Sequence, residues 1–575
     1  MSPPSIPTHV LRLRLPSQSL QEGSLVIECD SIPYLAVGAI PDCDVYTRKH
    51  FLMGLIITNL DIGETLDTEF RDYLGKFGNT WVELRYEKHV EDQLLPGPYL
   101  YRRSELRPIC RLYDDKQRAF LTTFRPKFGK LEDTTFSQLS IAGTLYDHLA
   151  VAVPVRSAEN LSSAQRRLRI AVKDLYQVQG MKTSLNNIAY YDYSDEATSS
   201  AAVVESLVRD GAHILGLTKL SSMIAREEPM DAIDFSTAFN PRGDGYQSPA
   251  GSSSGSAAAV ASYPWLDCAL GSDTSGSGRR PAMMNGVWQF RPSHDLVSCD
   301  GMVTTYPRFD TPCVLSRELD HLGRVLQSWI PAAEQSSHIG RSSYEIMELI
   351  GDFIKDMLKH LSATLTRLSI RKTWSSTHPL GLPERVDEYL KDVITKTYYY
   401  AFYHLTDTFR KVYASSHNGK TPYVIPFVRR RWEKGAAVTA TQHADATKKL
   451  DIYREWLMNT LFPSLKRLVV LPVAEVAPNY RDVVSPSPDE QCVLDELFLA
   501  PVLGSPDIVV PIGDIPYKSR VTQKTEYLPV VINVVGAPGA DFQLLEAVNH
   551  VMKLSGRPIS VSTGSRMFTQ SRSEL

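Results

Sequence analysis

Between Pro249 and Ala282, two loops built almost wholly of glycine and serine bracket a helix-forming run, Ala257-Ala-Ala-Val-Ala261, and a short apolar run, Cys268-Ala-Leu270. Loops of this composition are ordinarily flexible connections. Here both are joined directly to segments apolar enough to be buried, so they are held between ordered elements. Small residues let a backbone approach a ligand and turn several N–H groups toward one point, which is what a tetrahedral oxyanion needs. The hydroxyls in both loops supply candidate nucleophiles.

The flanking pattern is that of an α/β layer. Leu168-Arg-Ile-Ala-Val172 reads as a strand that stops at Lys173-Asp174. From Ser199 the residues Val203, Val204, Leu207 and Val208 recur at helical spacing until Gly211, and the apolar Ala212-His-Ile-Leu-Gly216 follows as a strand. Near the C-terminus, Leu468-Val-Val-Leu-Pro472, Asp507-Ile-Val-Val-Pro511 and Leu528-Pro-Val-Val-Ile-Asn-Val-Val535 are continuous apolar runs, expected of strands covered on both faces.

Between them, residues 343 to 470 read as helical, with Tyr344, Ile346, Met347, Leu349 and Ile350 leading into Phe353, Ile354, Met357 and Leu358. The aromatic cluster Tyr398-Tyr-Tyr-Ala-Phe-Tyr403 would serve either to pack a core or to line a pocket, and core packing is the commoner use.

Before residue 125 the runs His9–Leu15, Ser24–Glu28, Phe51–Ile57 and Trp81–Tyr86 read as strands, and Thr65–Phe77 as a helix. These predict a small N-terminal α+β domain over 1–125 and a linker over 126–162. A catalytic domain then spans 163–570, its substrate pocket built by the helical region of about 330–460.

Composition narrows the function. At 575 residues, 62 Lys+Arg stand against 65 Asp+Glu, a formal net charge of -3, so no global field gathers nucleic acid or anionic lipid. Seven cysteines without CxxC spacing argue for a reducing compartment rather than a disulfide framework. No apolar run reaches the roughly 18 residues a membrane span requires, and the N-terminus lacks a secretory pattern. A cytoplasmic protein with a small-molecule partner is expected, with no nucleic acid and no membrane; a homodimer is left open. Without a Walker loop, an HExxH or zinc-type spacing, no cofactor and no metal are expected.

Gly251-Ser252-Ser253-Ser-Gly255-Ser-Ala-Ala-Ala-Val260, followed by Gly271-Ser-Asp-Thr-Ser-Gly-Ser277-Gly-Arg279-Arg-Pro281-Ala282, resembles the amidase signature family. The order of the other segments is similar to that family as well: Ala171-Val-Lys173-Asp174, Asp210–Thr218, Asn285–Ser293, Asp310-Thr-Pro312 and Leu503–Gly513. The resemblance covers about residues 163 to 567. It implies an α/β amidase signature fold, a central mixed, twisted β-sheet covered by helices on both faces.

It also implies roles. Ser277 would be the nucleophile, Ser252 a bridging serine held on a cis peptide, and Lys173 the base. The N–H groups of Thr274, Ser275, Gly276 and Ser277 would form the oxyanion hole, with Asp273 and Arg279 in support. Ser253 competes for the bridging role, since its spacing of 24 to Ser277 is the family's usual one, against 25 for Ser252; Ser252 is preferred because it follows Gly251 directly. Ala250, Ser254 and Ser275 stand where the family often has glycine, and Gly278 where it usually has a larger apolar residue.

The chemistry these roles require is ordinary. A serine hydroxyl attacks only when a base takes its proton, and a lysine serves as that base only when burial lowers its pKa. The predicted reaction is amide hydrolysis through an acyl-enzyme on Ser277. Alternatives are acyl transfer to an amine or alcohol by the same fold, an inactive binding module, or an α/β-hydrolase-type esterase. The last would use Ser253, the centre of a G-x-S-x-G match, but such an elbow must follow a buried strand, which Gln247-Ser-Pro-Ala250 does not resemble. His321, His404 and His550 carry no local context that marks a catalytic base.

Overall fold

The computed structural model describes residues 25–29, 32–36, 54–57, 98–102, 105–125, 135–139, 142–143, 148–154, 167–330, 345–347, 351–474, 476–484 and 491–568. Two compact units divide the chain. The first holds residues up to Lys116, Thr122–Arg169 and Gly211–Gly216, and the second holds the rest.

The first unit is built on a six-stranded antiparallel sheet of β1 (Leu25–Cys29), β2 (Ile32–Ala36), β3 (Gly54–Ile57), β4 (Pro98–Arg102), β5 (Glu105–Asp114) and β7 (Ala150–Pro154); β6 (Phe120–Thr123) lies outside it. The ten-residue β5 organises it, pairing with β4 through its first half and with β2 and β7 through its second. Cys110, Leu112, Leu139, Ala150 and Ala152 form its core. Residues 126–162, read as a linker, thus contribute β7, whose five residues are all buried. The expected strands at Ser24–Glu28 and Phe51–Ile57 overlap β1 and β3 in their described residues, whereas His9–Leu15, Thr65–Phe77 and Trp81–Tyr86 lie outside the described residues.

The second sheet is larger and of mixed direction. After β8 (Arg169–Lys173) and β9 (His213–Thr218) come β10 (Cys268–Ser272), β11 (Trp288–Arg291), β12 (Pro312–Ser316), β13 (Glu345–Met347), β14 (Thr364–Thr366), β15 (Arg467–Leu471), β16 (Asp507–Lys518) and β17 (Thr525–Val535). Nine of them run in the order β14-β13-β15-β17-β16-β11-β12-β10-β8. Every residue of β8, β10, β11 and β12 is buried. Successive side chains on a strand point to opposite faces, so these strands are covered on both sides.

The cover is helical. Helix α1 (Ser254–Ser262) packs on β10 and β12, α2 (Arg279–Asn285) on β16 and β17, α3 (Leu319–Trp329) on β11 and β12, and α4 (Asp541–Leu554) on β16. Because α1 carries small residues on every side, its Ser256 hydroxyl satisfied by Leu270 O, and is buried from Ser254 to Ala261, it is an interior helix.

The helical reading of residues 343 to 470 requires correction at two three-residue strands, Glu345–Met347 and Thr364–Thr366. Glu345–Met347 is the short strand β13, parallel to both β14 and β15. The sheet takes three residues between β14 and β15, a run too short for its period to separate strand from helix. The helix begins at Gly351, with Phe353, Ile354 and Met357 buried as the spacing predicts.

Candidate active site

The pairing of β8 with β10 assembles the centre. They run parallel in register Ile170 with Cys268, Ala171 with Ala269 and Val172 with Leu270. One step further, the ends of both strands release Lys173 and Gly271-Ser272 side by side. Loop 250–253 reaches the same point because α1 starts at Ser254, its first turn closed by Ala257 N–H donating to Ser253 O at 3.1 Å.

Lys173 is fully buried and its ammonium nitrogen donates to three serine hydroxyls: Ser252 Oγ at 2.8 Å, Ser253 Oγ at 2.9 Å and Ser272 Oγ at 2.9 Å. Burial brings its pKa from 10.5 to about 7, against the upward pull of the carboxylates Asp273 and Asp310. The peptide bond between Gly251 and Ser252 is cis. Ser253 Oγ has further partners, accepting from Ser272 N–H at 3.3 Å and donating to Ser272 O at 3.4 Å. Ser252 Oγ is engaged by Lys173 alone among the described residues.

Ser277 stands in the facing loop, half-buried, and its carbonyl accepts from Ser253 N–H at 3.0 Å. Among the described residues its hydroxyl takes no hydrogen-bond partner, which leaves it free to meet a ligand. A side chain at Gly271 would bring its Cβ within 2.8 Å of Ser253 Oγ, so the two loops meet only because this residue is glycine.

A buried ion network shapes the loop. The Asp273 carboxylate accepts from the N–H groups of Gly276, Gly278 and Arg279 at 3.0, 3.0 and 3.2 Å, and from the Arg279 side chain at 2.9 and 3.1 Å. Burial raises its pKa, but Arg279, Arg291 and the loop amides outweigh that and hold it at about 2. Arg279 also reaches Asp507 Oδ2 at 3.0 Å and Leu497 O at 2.7 Å. Asp507 is pushed up to about 6 by burial, opposed by Arg279. Of the four amides expected to face an oxyanion, that of Gly276 is therefore already held by Asp273.

Thr274 is anchored separately. Its hydroxyl donates to Asp310, whose carboxylate also accepts from Thr305 N–H at 2.7 Å and Tyr306 N–H at 2.9 Å. Thr305 Oγ1 lies 3.2 Å from the Tyr398 hydroxyl.

Thr305 borders a cavity of about 60 Å³ whose other walls include Tyr190, Met223, Ile224, Phe402 and Phe409. Within the aromatic cluster, Tyr398, Tyr399 and Phe402 are buried, and Phe402 also faces this cavity, so packing and pocket lining occur together.

The lysine, both competing serines, Asp273 and Arg279 thus meet in one place, beside the loop that carries Ser277. Sequence reasoning missed Ser272, Asp310, Arg291 and Asp507 as partners. Ser272 was signalled by standing at the end of a strand next to Asp273, whereas Asp507 lies 228 residues from Arg279 and left no local trace. Ala250 holds φ 55°, a conformation in which glycine is at ease, and Cys313 Sγ fills the space beside Gly278, where a Cβ would come within 2.5 Å of it. The elbow geometry is not met at Ser253: Gln247–Ala250 forms one isolated bridge, Gln247 with Tyr480, and no strand.

Comparison with known proteins agrees with this architecture. The Amidase family model matches residues 167–349. Amidase 1 of Arabidopsis thaliana is 37% identical over 175 residues, which is 30% of this chain and 40% of that protein; the chain thus spans less than half of that relative. Mandelamide hydrolase of Pseudomonas putida is 25% identical over 417 residues, covering 68% of this chain and 78% of that enzyme. The structure of 6-aminohexanoate cyclic dimer hydrolase superposes with a TM-score of 0.53 at 17% identity, covering 67% of this chain and 84% of that one. At that identity the likeness is one of fold.

Proposed function

Since the chain belongs, through residues 167–349, to the amidase signature family, we propose that it hydrolyses a carbon–nitrogen amide bond through an acyl-enzyme on Ser277. The observation that carries this reading is a fully buried lysine with a pKa near 7, 2.8–2.9 Å from three serine hydroxyls and next to a loop bearing an unengaged fourth.

In the proposed cycle, neutral Lys173 accepts the Ser252 proton as Ser252 accepts that of Ser277. Ser277 Oγ bonds to the acyl carbon and the carbonyl π-bond electrons move to oxygen, where the amides of Thr274, Ser275 and Ser277 are the available donors. Collapse breaks the C–N bond, and the relay runs backward to protonate the departing amine. Water then repeats the sequence on the ester, releasing the acid. Ser252 is favoured as the bridge because Ser253 Oγ is already tied to the Ser272 backbone.

The cavity bordered by Met223, Ile224, Thr305 and Phe402 is where an apolar acyl group would lodge, since Thr305 Oγ1 is 3.3 Å from Thr274 Oγ1 on the Ser277 loop. Cys110, Cys268, Cys299, Cys313 and Cys492 are free thiols, which fits a reducing compartment such as the cytoplasm. No helix among the described residues is long and apolar enough to cross a membrane.

The reading is tested by treating the protein with a fluorophosphonate and mapping the adduct by mass. Label on Ser277 that disappears in Ser277→Ala supports it; label on Ser253 alone, or on neither loop, rejects it.

A further inference from the structure

A second cavity, of about 260 Å³, takes no wall from Lys173 or from residues 249–279. Leu457, Leu461, Val469, Leu471, Leu499 and Val502 give it an apolar side, and Ser369, Arg371, Asp495 and Glu496 a polar one. Tyr453 also lines it; this residue is 2% exposed, and among the described residues its hydroxyl has no hydrogen-bond partner. That hydroxyl opens on the cavity, where it can donate to a ligand or to water.

The charged residues on the cavity wall are unequal in sign. Arg371 is neutralised by a bidentate pair with Asp387, Nη2 to Oδ1 at 3.0 Å and Nε to Oδ2 at 3.2 Å. Asp495 and Glu496, both exposed and both lining the cavity, have no cationic partner within ion-pair distance among the described residues. Asp495 does not cap the turn it precedes with its side chain. A largely apolar chamber with one hydroxyl and two carboxylates, against a single guanidinium already paired with Asp387, is complementary to a protonated amine on an apolar body, and disfavours the corresponding carboxylate. An apolar cavity of about 150 Å³ is enough for benzene, so this one has room for a ring with a short aminoalkyl arm.

We propose that this cavity is a binding site for a small apolar amine, separate from the serine loops. Its position gives the site a consequence, which rests on the amidase reading. Asp495 and Glu496 directly precede Leu497, whose carbonyl accepts from Arg279 at 2.7 Å and whose side chain packs on Gly276 of the Ser277 loop. Amines are what amide cleavage releases, so the turn that buttresses the reacting loop would also sense this class of product.

The test is calorimetric titration of the full chain with benzylamine, with benzyl alcohol and benzoate as neutral and anionic comparators, before and after Ser277 is blocked by a fluorophosphonate. The expected result is saturable benzylamine binding that survives the block, at least fivefold tighter than either comparator. Asp495→Asn combined with Glu496→Gln, both on the surface, should weaken benzylamine at least tenfold and leave benzyl alcohol unchanged; Val502→Phe, which fills the chamber, should abolish all binding. No saturation below about 10 mM, equal affinity for the comparators, indifference to the acidic variants, or loss on blocking Ser277 would each overturn the proposal. A blocked protein that binds benzylamine while the free protein cleaves no amide would leave the site standing without the reaction, and an active enzyme that binds none would do the reverse.

Discussion

Lys173 Nζ lies 2.8 Å from Ser252 Oγ in a fully buried pocket, and burial lowers that lysine from 10.5 to about 7. A base must be unprotonated to act, so the sign of the pH dependence follows. Below about 7 the protonated, inactive form dominates; above it the neutral form does. For an activated amide or ester, kcat/KM should rise about tenfold per pH unit in the acid limb and level off above about 7. Lys173→Ala should lose several orders of magnitude and, in its residual rate, this inflection. An inflection that persists in Lys173→Ala belongs to another group.

The two adjacent serines should separate by rate. Ser252→Ala removes the hydroxyl engaged by Lys173 alone, and should cost about ten-thousandfold or more in kcat, in the range seen when one member of a coupled catalytic unit is lost. Ser253→Ala should cost far less, because that hydroxyl is bonded to the Ser272 backbone. Single-turnover measurements on both variants decide it; the reverse ranking would move the bridge to Ser253.

Arg279 compensates two buried carboxylates, Asp273 and Asp507, at 2.9 and 3.0 Å. Arg279→Met should therefore destabilise the fold by about 3–5 kcal/mol, the cost of leaving buried charge unpaired. Asp507→Asn should be milder. Asp507 has a folded pKa of about 6 against 3.8 as its ordinary value, so the folded state binds its proton more tightly. Its contribution is full below about 3.8 and is lost as pH rises through about 6. Urea unfolding between pH 4 and 7 should show a steeper loss of stability in the parent protein than in Asp507→Asn.

How much of this was legible before the structure depends on range along the chain. Lys173, the serine loops and the strands around them were readable because glycine spacing, apolar runs and a lysine at a strand end are local signals. Ser272 was within reach, since parallel pairing of β8 and β10 places it beside Lys173. Asp507 and Leu497 were not, because both reach Arg279 from more than 200 residues away. The misread of Glu345–Met347 has the same origin: a three-residue strand is specified by the partner it pairs with, β15, rather than by its own period.

Gly276 offers a test of whether the shape of the Ser277 loop, rather than its composition, sets the rate. Its φ is +101°, outside the range L side chains adopt readily, and an added Cβ would lie 2.8 Å from Leu497 Cδ1. Gly276→Ala should therefore displace the neighbouring amides of Ser275 and Ser277, lowering kcat by about tenfold to a hundredfold while KM changes little, because donors that act on the oxyanion matter more in the transition state than in substrate binding. The steric and conformational causes can be separated. If crowding by Leu497 dominates, Gly276→Ala combined with Leu497→Ala should regain most of the lost kcat; if the positive φ dominates, the double variant should stay as slow as the single one. A rise in KM at unaltered kcat would instead place the defect in substrate binding and remove this loop from the proposed oxyanion site.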